Sequence, residues 1–382
     1  LKITKIKAWV LRYPLAVPLR PSWAPGRVFN FTTCTALEVH TDEGWVGTGA
    51  SPDTGQIGLH TLADLVAPYL LGKDPFATEQ LSPFLRNAAR DGSYPWGVET
   101  ALWDLIGKVC QQPTYRLWGA FRQSLPVYAS LAELVEPDQQ IERLWALYQQ
   151  GFRAFKLRLR RPDIRQDIAL VEKVRSAMSA DVQLMVDANQ AHTMPSPGPH
   201  KYWTFDEALT VARAMQDLGV LWVEEPLHRY NLKQLAKLCE AVDIPIAGGE
   251  LNLGLHEYKA LIDQDSYDII QADCAFSEGV FQLRKIAALA ELSYKKFIPH
   301  TWSNGIGLAA NLHLALSVPN CDWFEYPIDP PAWTSPARDF MLLEDFPINP
   351  DGTITVGNQP GMGITLDPAA LERYAVYRWE SD

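Results

Sequence analysis

Lys156, Arg158, Asp187, Glu224, Glu250, Asp273, His300 and Glu325 share one property: each falls at or near the end of a short β-branched or aromatic run. Asp187, Glu224 and Glu250 come from three consecutive runs with no Cys or His among them, which makes a hard, all-oxygen donor set. Mg²⁺ suits such donors best, Mn²⁺ can replace it, and zinc fits less well. Mg²⁺ favours octahedral coordination and keeps open positions for water and substrate oxygens when the protein supplies only a few ligands. Lys156 and Arg158 are two residues apart and so lie on one face of a strand, where they can neutralise a substrate carboxylate. Asp273 with His300 sets a carboxylate beside an imidazole, which fixes the ring tautomer and suits a general base and acid near neutral pH.

Such residues need a frame that gathers the run ends. From Val127 onward, strand-like runs alternate with segments of helical length. The runs are 127–130, 154–159, 182–189, 220–225, 244–250, 267–274, 296–300 and 322–326, and the helical segments between them include 164–178, 206–218, 232–241, 280–292 and 307–317. Eight strands alternating with helices predict an α/β fold, a parallel TIM-type barrel, whose chemistry lies at the carboxyl ends of the strands. Ionisable groups so placed are hard to explain structurally, because buried charges need partners. The first ~120 residues differ: strand-like 2–13 and 33–41, a hairpin turn at Asp42-Glu43-Gly44-Trp45, then helical patterns at 58–70, 75–89 and 98–108. This predicts an α+β N-terminal unit of its own over 1–125, rejoined by about 345–382, with the barrel at 126–344. In the tail, 353–356 reads as a short strand returning to the first domain. Pro195-Ser196-Pro197-Gly198-Pro199 reads as a surface insertion after the third barrel strand.

At 382 residues, 47% hydrophobic, the chain has enough apolar surface to exclude a disordered protein. Its 34 Lys+Arg against 45 Asp+Glu, a net charge of −11, argue against nucleic acid as a partner and require a local cationic site for any anionic substrate. No apolar run approaches the ~20 residues of a membrane span, and 2–7 alternates like a strand rather than a signal peptide, so a cytoplasmic location is the expectation. The five Cys, at 34, 110, 239, 274 and 321, lack CxxC or CxH spacing and read as buried thiols.

The motifs around these residues resemble the enolase superfamily, in its mandelate racemase subgroup (mandelate racemase/muconate lactonizing enzyme-like). They are Glu99-Thr100-Ala101-Leu102-Trp103-Asp104-Leu105-Ile106-Gly107-Lys108, Val186-Asp187-Ala188-Asn189, Trp222-Val223-Glu224-Glu225-Pro226, Gly248-Gly249-Glu250, Pro299-His300 and Pro360-Gly361-Met362-Gly363, spread over nearly the whole chain. Gly248-Gly249-Glu250 and Pro299-His300-Thr301-Trp302 resemble the sugar-acid dehydratase and galactarolactone cycloisomerase-like branches. Enolase-superfamily sites as a group pair a Lys or His base with Mg²⁺ and an ene-diolate, so that pairing is a known family property. The resemblance implies a modified TIM barrel, (β/α)₇β, closed by an α+β N-terminal capping domain, with Asp187, Glu224 and Glu250 as metal ligands, Asp273 and His300 as the dyad, and Glu325 as hydrogen-bond donor or electrophile to the substrate carboxylate. It also implies that Trp23, Arg27 and Phe29, in the loop 18–31, belong to a lid that selects substrate, and that a dimer or octamer is the expected assembly.

The subgroup commonly carries a second Lys where this chain has Arg158, and arginine stays protonated at ordinary pH. Lys156 could act as a base only with a depressed pKa; electrostatic stabilisation is its simpler role. Asn189 is expected to bond a metal ligand or the substrate. Arg27, Trp302 and Asn304 are possible substrate contacts. Glu225 is expected to face away from the site and His192 to be exposed. The expected reaction is Mg²⁺-assisted abstraction of the proton α to a carboxylate, followed by dehydration of a sugar acid to a 2-keto-3-deoxy acid. Sugar-lactone cycloisomerisation and epimerisation or racemisation are alternatives. A silent sugar-acid binding protein is the alternative outside enzymes, and it has no need of both Asp273 and His300.

Overall fold

Strands β1 (Ile3–Leu19), β2 (Phe29–Thr41) and β3 (Val46–Pro52) form an antiparallel sheet in the computed structural model, which describes residues 1–52, 55–192, 194 and 196–381. Pro195, the first residue of the Pro/Gly-rich insertion, lies outside the described residues. Gly44 closes the turn between β2 and β3 with φ of +83°, a backbone state glycine adopts at little cost. Helix Trp96–Val109 lies directly on β3. A Cβ at Gly49 would stand 1.9 Å from the carbonyl oxygen of Gly97, so only hydrogen at both positions permits this approach.

Eight parallel strands follow: β4 (Ser124–Ser130), β5 (Ala154–Arg158), β6 (Gln183–Asp187), β7 (Val223–Glu224), β8 (Ile246–Gly248), β9 (Ile269–Ile270), β10 (Lys296–Phe297) and β11 (Phe324–Pro327). They pair in the order β10-β9-β8-β7-β6-β5-β4-β11 in one curled sheet. A helix separates each consecutive pair, including Pro137–Gln149 and Gly254–Asp263, so the architecture is (β/α)₇β. Helix starts are sealed locally. Thr204 and Glu207 form a reciprocal capping box before Phe205–Asp217, and the Asn304 side chain accepts from the amides of Ile306 and Gly307.

Inside the barrel, Tyr128, Ala154, Met185, Trp222, Ala247, Ile269 and Ile298 pack into one apolar layer, one residue from each of seven successive strands or strand ends. Side chains on one face of a strand recur every two residues. The next inward positions are therefore Ser130, Lys156, Asp187, Glu224, Gly249, Gln271 and His300. An apolar floor thus carries a polar layer at the strand ends.

Two features of the tail differ from the sequence reading. The strand at 353–355, β12 (Thr353–Thr355), pairs antiparallel with β4 of the barrel rather than with the first sheet. The segment that does join the first sheet is β13 (Ala375–Glu380), antiparallel to β1. β12 contributes too few residues to form a sheet edge alone, and β4, the first barrel strand, extends back to Ser124 to receive it.

Candidate active site

Asp187, Glu224 and Glu250 are buried, and one oxygen from each can be chosen so that all three lie within 4.8 Å of one another. Asp187 and Glu224 are neighbours because they sit in register on paired strands β6 and β7. Glu250 arrives by a different device. Gly249 takes φ of +114°, which breaks the two-residue alternation and turns the next side chain inward.

Each of these carboxylates faces a protein cation. Arg158 Nη1 pairs with Asp187 Oδ2, while its Nε donates to the Leu131 carbonyl at 2.5 Å and its Nη2 to Ser130 Oγ at 3.2 Å. Lys156 Nζ lies 2.7 and 2.8 Å from the two oxygens of Glu224 and 2.7 Å from Glu325 Oε1. His300 Nε2 lies 3.1 Å from Glu250 Oε2, and its Nδ1 lies 2.7 Å from Asp273 Oδ2. Asp273 is itself held, with Oδ1 accepting from the Ala275 amide at 2.7 Å and from Asn311 Nδ2 at 3.0 Å.

The electrostatics follow from burial and crowding. Burial first, and then Asp187, Glu325 and the other nearby carboxylates, raise Glu224 against the opposing pull of Lys156. Burial and then Glu225 do the same to Glu250, against His300. Burial would lower Lys156, but Glu224 and Glu325 outweigh it and raise its pKa. For His300 burial also works downward, yet Glu250, Glu325 and Asp273 carry it up to about 10. Glu325 is the exception among the carboxylates. Burial alone would raise it, and Lys156 with His300 hold it down at about 2.

Five placements correct or extend the sequence reading. Glu225 does not face away from the cluster: its φ of +48° interrupts the alternation, and it is 1% exposed with neither oxygen hydrogen-bonded among the described residues. His192 is not exposed, at 6%; its Nδ1 lies 3.6 Å from Glu225 Oε2, and with Glu250 these two form a second compact group of possible ligands. Glu325 has its two oxygens taken in this structure, one 2.7 Å from Lys156 Nζ and the other accepting from the Thr301 amide at 2.6 Å. Lys156 is pushed away from, not toward, the pKa of a base. Gln271 escaped sequence reading altogether. It sits on the polar layer and donates to Glu224 Oε2 at 2.8 Å, and the two-residue step from Ile269 is the signal that could have found it.

Around this centre, Asn189 donates through Nδ2 to Asp187 Oδ2 at 2.9 Å and through its amide to Oδ1 at 2.8 Å, while its Oδ1 accepts from Ser22 Oγ at 3.2 Å. Trp302 donates through Nε1 to Ser130 Oγ at 2.8 Å, stacks on Trp333 and meets Trp23 edge to face. A pocket of about 100 Å³ is lined by Trp23, Arg158, Asn189, Glu250, His300 and Trp302 among others. Arg27 is not among its walls; with Arg20 and Arg160 it lines a neighbouring cavity. Asn304 is occupied as a helix cap.

The three oxygens suit a divalent cation. Asp187, Glu224, Glu225, Glu250, Asp273 and Glu325 outnumber the cationic Lys156, Arg158 and His300, and the burial and crowding that raise Glu224 and Glu250 are what a bound cation would offset.

A (β/α)₇β barrel with carboxylates on three adjacent strand ends, joined to an antiparallel sheet and helices, has the architecture of enolase-type enzymes. Residues 139–370 match the family model of the enolase C-terminal domain-like fold, and residues 13–119 that of the mandelate racemase/muconate lactonizing enzyme N-terminal domain. The chain is 30% identical to arabinonate dehydratase of Saccharolobus solfataricus, covering 89% of this chain and 90% of that protein. It is 26% identical to D-galactarolactone cycloisomerase of Agrobacterium fabrum, over 98% and 99%. The crystal structure of L-talarate/galactarate dehydratase from Salmonella typhimurium LT2, liganded with Mg and L-lyxarohydroxamate, superposes with a TM-score of 0.85 at 26% identity, over 99% and 94%. Racemases and epimerases are matched as well. The chain belongs to the mandelate racemase/muconate lactonizing enzyme group of the enolase superfamily, and it is an enzyme, a lyase or isomerase. Among the described residues no helix is long and apolar enough to cross a membrane.

Proposed function

We propose that this enzyme removes the proton α to the carboxylate of a sugar acid and expels the β-hydroxyl as water, giving a 2-keto-3-deoxy acid. The observation that carries this is the His300–Asp273 dyad, whose second imidazole nitrogen, 3.1 Å from Glu250 Oε2, faces the carboxylate cluster. Residues 126–344 form the catalytic barrel in this reading; 1–125 cap it, joined by β13 of the tail, while β12 pairs with the barrel.

Asp187, Glu224 and Glu250 would hold Mg²⁺, which when bound supplies positive charge to acidify the α-proton. Lys156 and Arg158 add fixed charge beside the substrate carboxylate. His300 Nε2 takes the C2 proton, and the C2–H electron pair passes into the enediolate. That pair then re-forms as the C2–C3 double bond while the C3–O bond breaks, and the departing hydroxide takes the same proton from Nε2. The resulting enol tautomerises to the 2-keto acid, and His300 returns unprotonated. One residue thus serves as base and then acid, so no second base is required. Asn189 and Trp302 would contact the substrate, and Arg27 its far side.

Sugar-lactone cycloisomerisation is the second reading, supported by full-length similarity to D-galactarolactone cycloisomerase. It begins from the same proton abstraction but expels a ring oxygen. The deciding experiment incubates the enzyme and Mg²⁺ with a library of mono- and diacid sugars and their lactones, detecting 2-keto product and following deuterium at C2 and C3. Dehydration predicts free acids converted with loss of water. Conversion of lactones alone would overturn it.

A further inference from the structure

We propose that Asn311 is the positioning residue of the Asp273–His300 dyad: one buried amide fixes where the imidazole sits and which oxygen of Asp273 serves it. The kinetic side of this role rests on the proton-abstraction reading above; the geometric side does not.

Helix Gly305–Ser317 is buried along its whole length, and its interior holds two polar side chains, Asn311 and His313, among Ile, Leu, Ala and Gly. Asn is a poor helix former, because its side chain competes for backbone groups. A buried amide also costs stability unless its hydrogen bonds are made. His313 satisfies itself away from the site, with Nδ1 accepting from the Tyr115 amide at 3.0 Å and Nε2 3.2 Å from the Met362 carbonyl. Asn311 turns to the dyad.

Its Nδ2 donates to Asp273 Oδ1 at 3.0 Å and to the His300 carbonyl at 3.0 Å, while its Oδ1 accepts from the Cys274 amide at 3.2 Å. Reversing the amide would set oxygen against two acceptors and nitrogen against a donor, so these partners leave it one orientation. Asp273 Oδ1 thereby takes two donors, Asn311 Nδ2 and the Ala275 amide, and Oδ2 is left for His300 Nδ1 at 2.7 Å. One nitrogen thus ties the carboxylate of one dyad member to the main chain of the other. The ladder between β9 and β10 pairs Ile269 with Lys296 and Ile270 with Phe297, and it stops short of Asp273 and His300. Asn311 holds in register what the sheet does not. Cys274 Sγ, 3.7 Å from the Gly307 carbonyl, fastens the same loop one helical turn earlier. A ring that acts as base and then as acid must keep its place while its charge changes, and a misplacement of ~1 Å can cost ~10²-fold in rate.

The test uses the whole chain, loaded with Mg²⁺ and carrying ¹⁵N-labelled histidine, with the His300 Nδ1–H resonance assigned by its absence in His300→Asn. Asn311→Leu removes all three bonds at similar volume, Asn311→Ser keeps one hydroxyl, and His313→Gln controls for loss of a polar group from the same helix. The resonance should shift or broaden in both Asn311 variants and not in the control. Alongside it, kcat should fall about tenfold or more, with KM and Mg²⁺ affinity within about threefold and Asn311→Ser less affected than Asn311→Leu. A resonance that stays put in the folded Asn311 variants overturns the proposal, as does one that moves while kcat does not, or a loss of kcat that His313→Gln matches. If neither Asn311 variant folds, hydrogen exchange decides. Asn311 side-chain hydrogens protected in the wild type and released in Asp273→Asn support the proposal, and exchange indifferent to that substitution overturns it. If the wild type turns over no acid, the catalytic reading fails by itself, and the Nδ1–H resonance still decides the geometry.

Discussion

His300 Nε2 lies 3.1 Å from Glu250 Oε2, so the imidazole that Asp273 orients from behind faces one of the three clustered carboxylates in front. Proton and cation therefore compete for the same small volume. A dication shared by Asp187, Glu224 and Glu250 would offset the part of the field on His300 that comes from Glu250.

The first prediction follows from that competition. Glu224 and Glu250 are raised by burial and crowding, and His300 is carried up to about 10. Cation binding requires the carboxylates ionised, so Mg²⁺ affinity should rise with pH through their raised pKa values and fall in acid. Binding should release protons, and His300 should titrate lower once Mg²⁺ is bound. Because the base form is the unprotonated ring, kcat/KM should increase with pH through that lowered value. Calorimetry in buffers of different ionisation enthalpy and imidazole NMR with and without Mg²⁺ check this; a His300 pKa indifferent to Mg²⁺ would contradict it.

Glu224→Gln should weaken Mg²⁺ binding and turnover by more than the ~10–100-fold typical of losing an outer-shell partner. The apolar floor beneath it, from Tyr128 to Ile298, does not touch the metal cluster's chemistry, so circular dichroism and a cooperative melt should survive. Full turnover by the wild type in EDTA would remove the metal from the mechanism.

His300→Asn should lower kcat by ~10²- to 10⁴-fold, the usual contribution of a positioned general base, with a smaller change in KM. Asp273→Asn should also lower it, because an amide at 2.7 Å from Nδ1 no longer fixes the tautomer as a carboxylate does. Near-normal turnover in His300→Asn would place the base elsewhere.

Much of this site was legible because period-two alternation and strand order are local properties. Lys156, Asp187, Glu224 and His300 each stand two residues beyond a member of the apolar layer, and a reader of the sequence can count that step. The step fails where the backbone leaves the extended region. Glu225, at φ +48°, points into the cluster although alternation sends it outward, and His192 is buried because Glu225 is there to meet it. β13 was invisible for another reason: Ala375–Glu380 is half exposed along its length, and only its pairing with β1, hundreds of residues away, defines it as a strand. The cavity beside the site collects Arg20 and Arg27 with Arg160, from separate segments that no spacing relates.

The last prediction concerns the face of the substrate that loses its proton. With the substrate carboxylate held near Lys156, its α-carbon would present one face to His300 on the β10 side and the other to Lys156 and Arg158 on β5. Arg158 cannot accept a proton near neutral pH. Lys156 is clasped between Glu224 and Glu325, both at 2.7 Å, and these carboxylates overcome burial to raise its pKa, so it keeps its proton too. His300 is then the expected base, and only one α-configuration should react. The measurement is α-hydrogen exchange in D₂O, followed by NMR, for two C2-epimeric acids. One epimer should exchange or turn over, and the other should remain protiated. Comparable rates for both would sink the single-base mechanism, make Lys156 the second base despite its carboxylate partners, and move epimerisation ahead of dehydration.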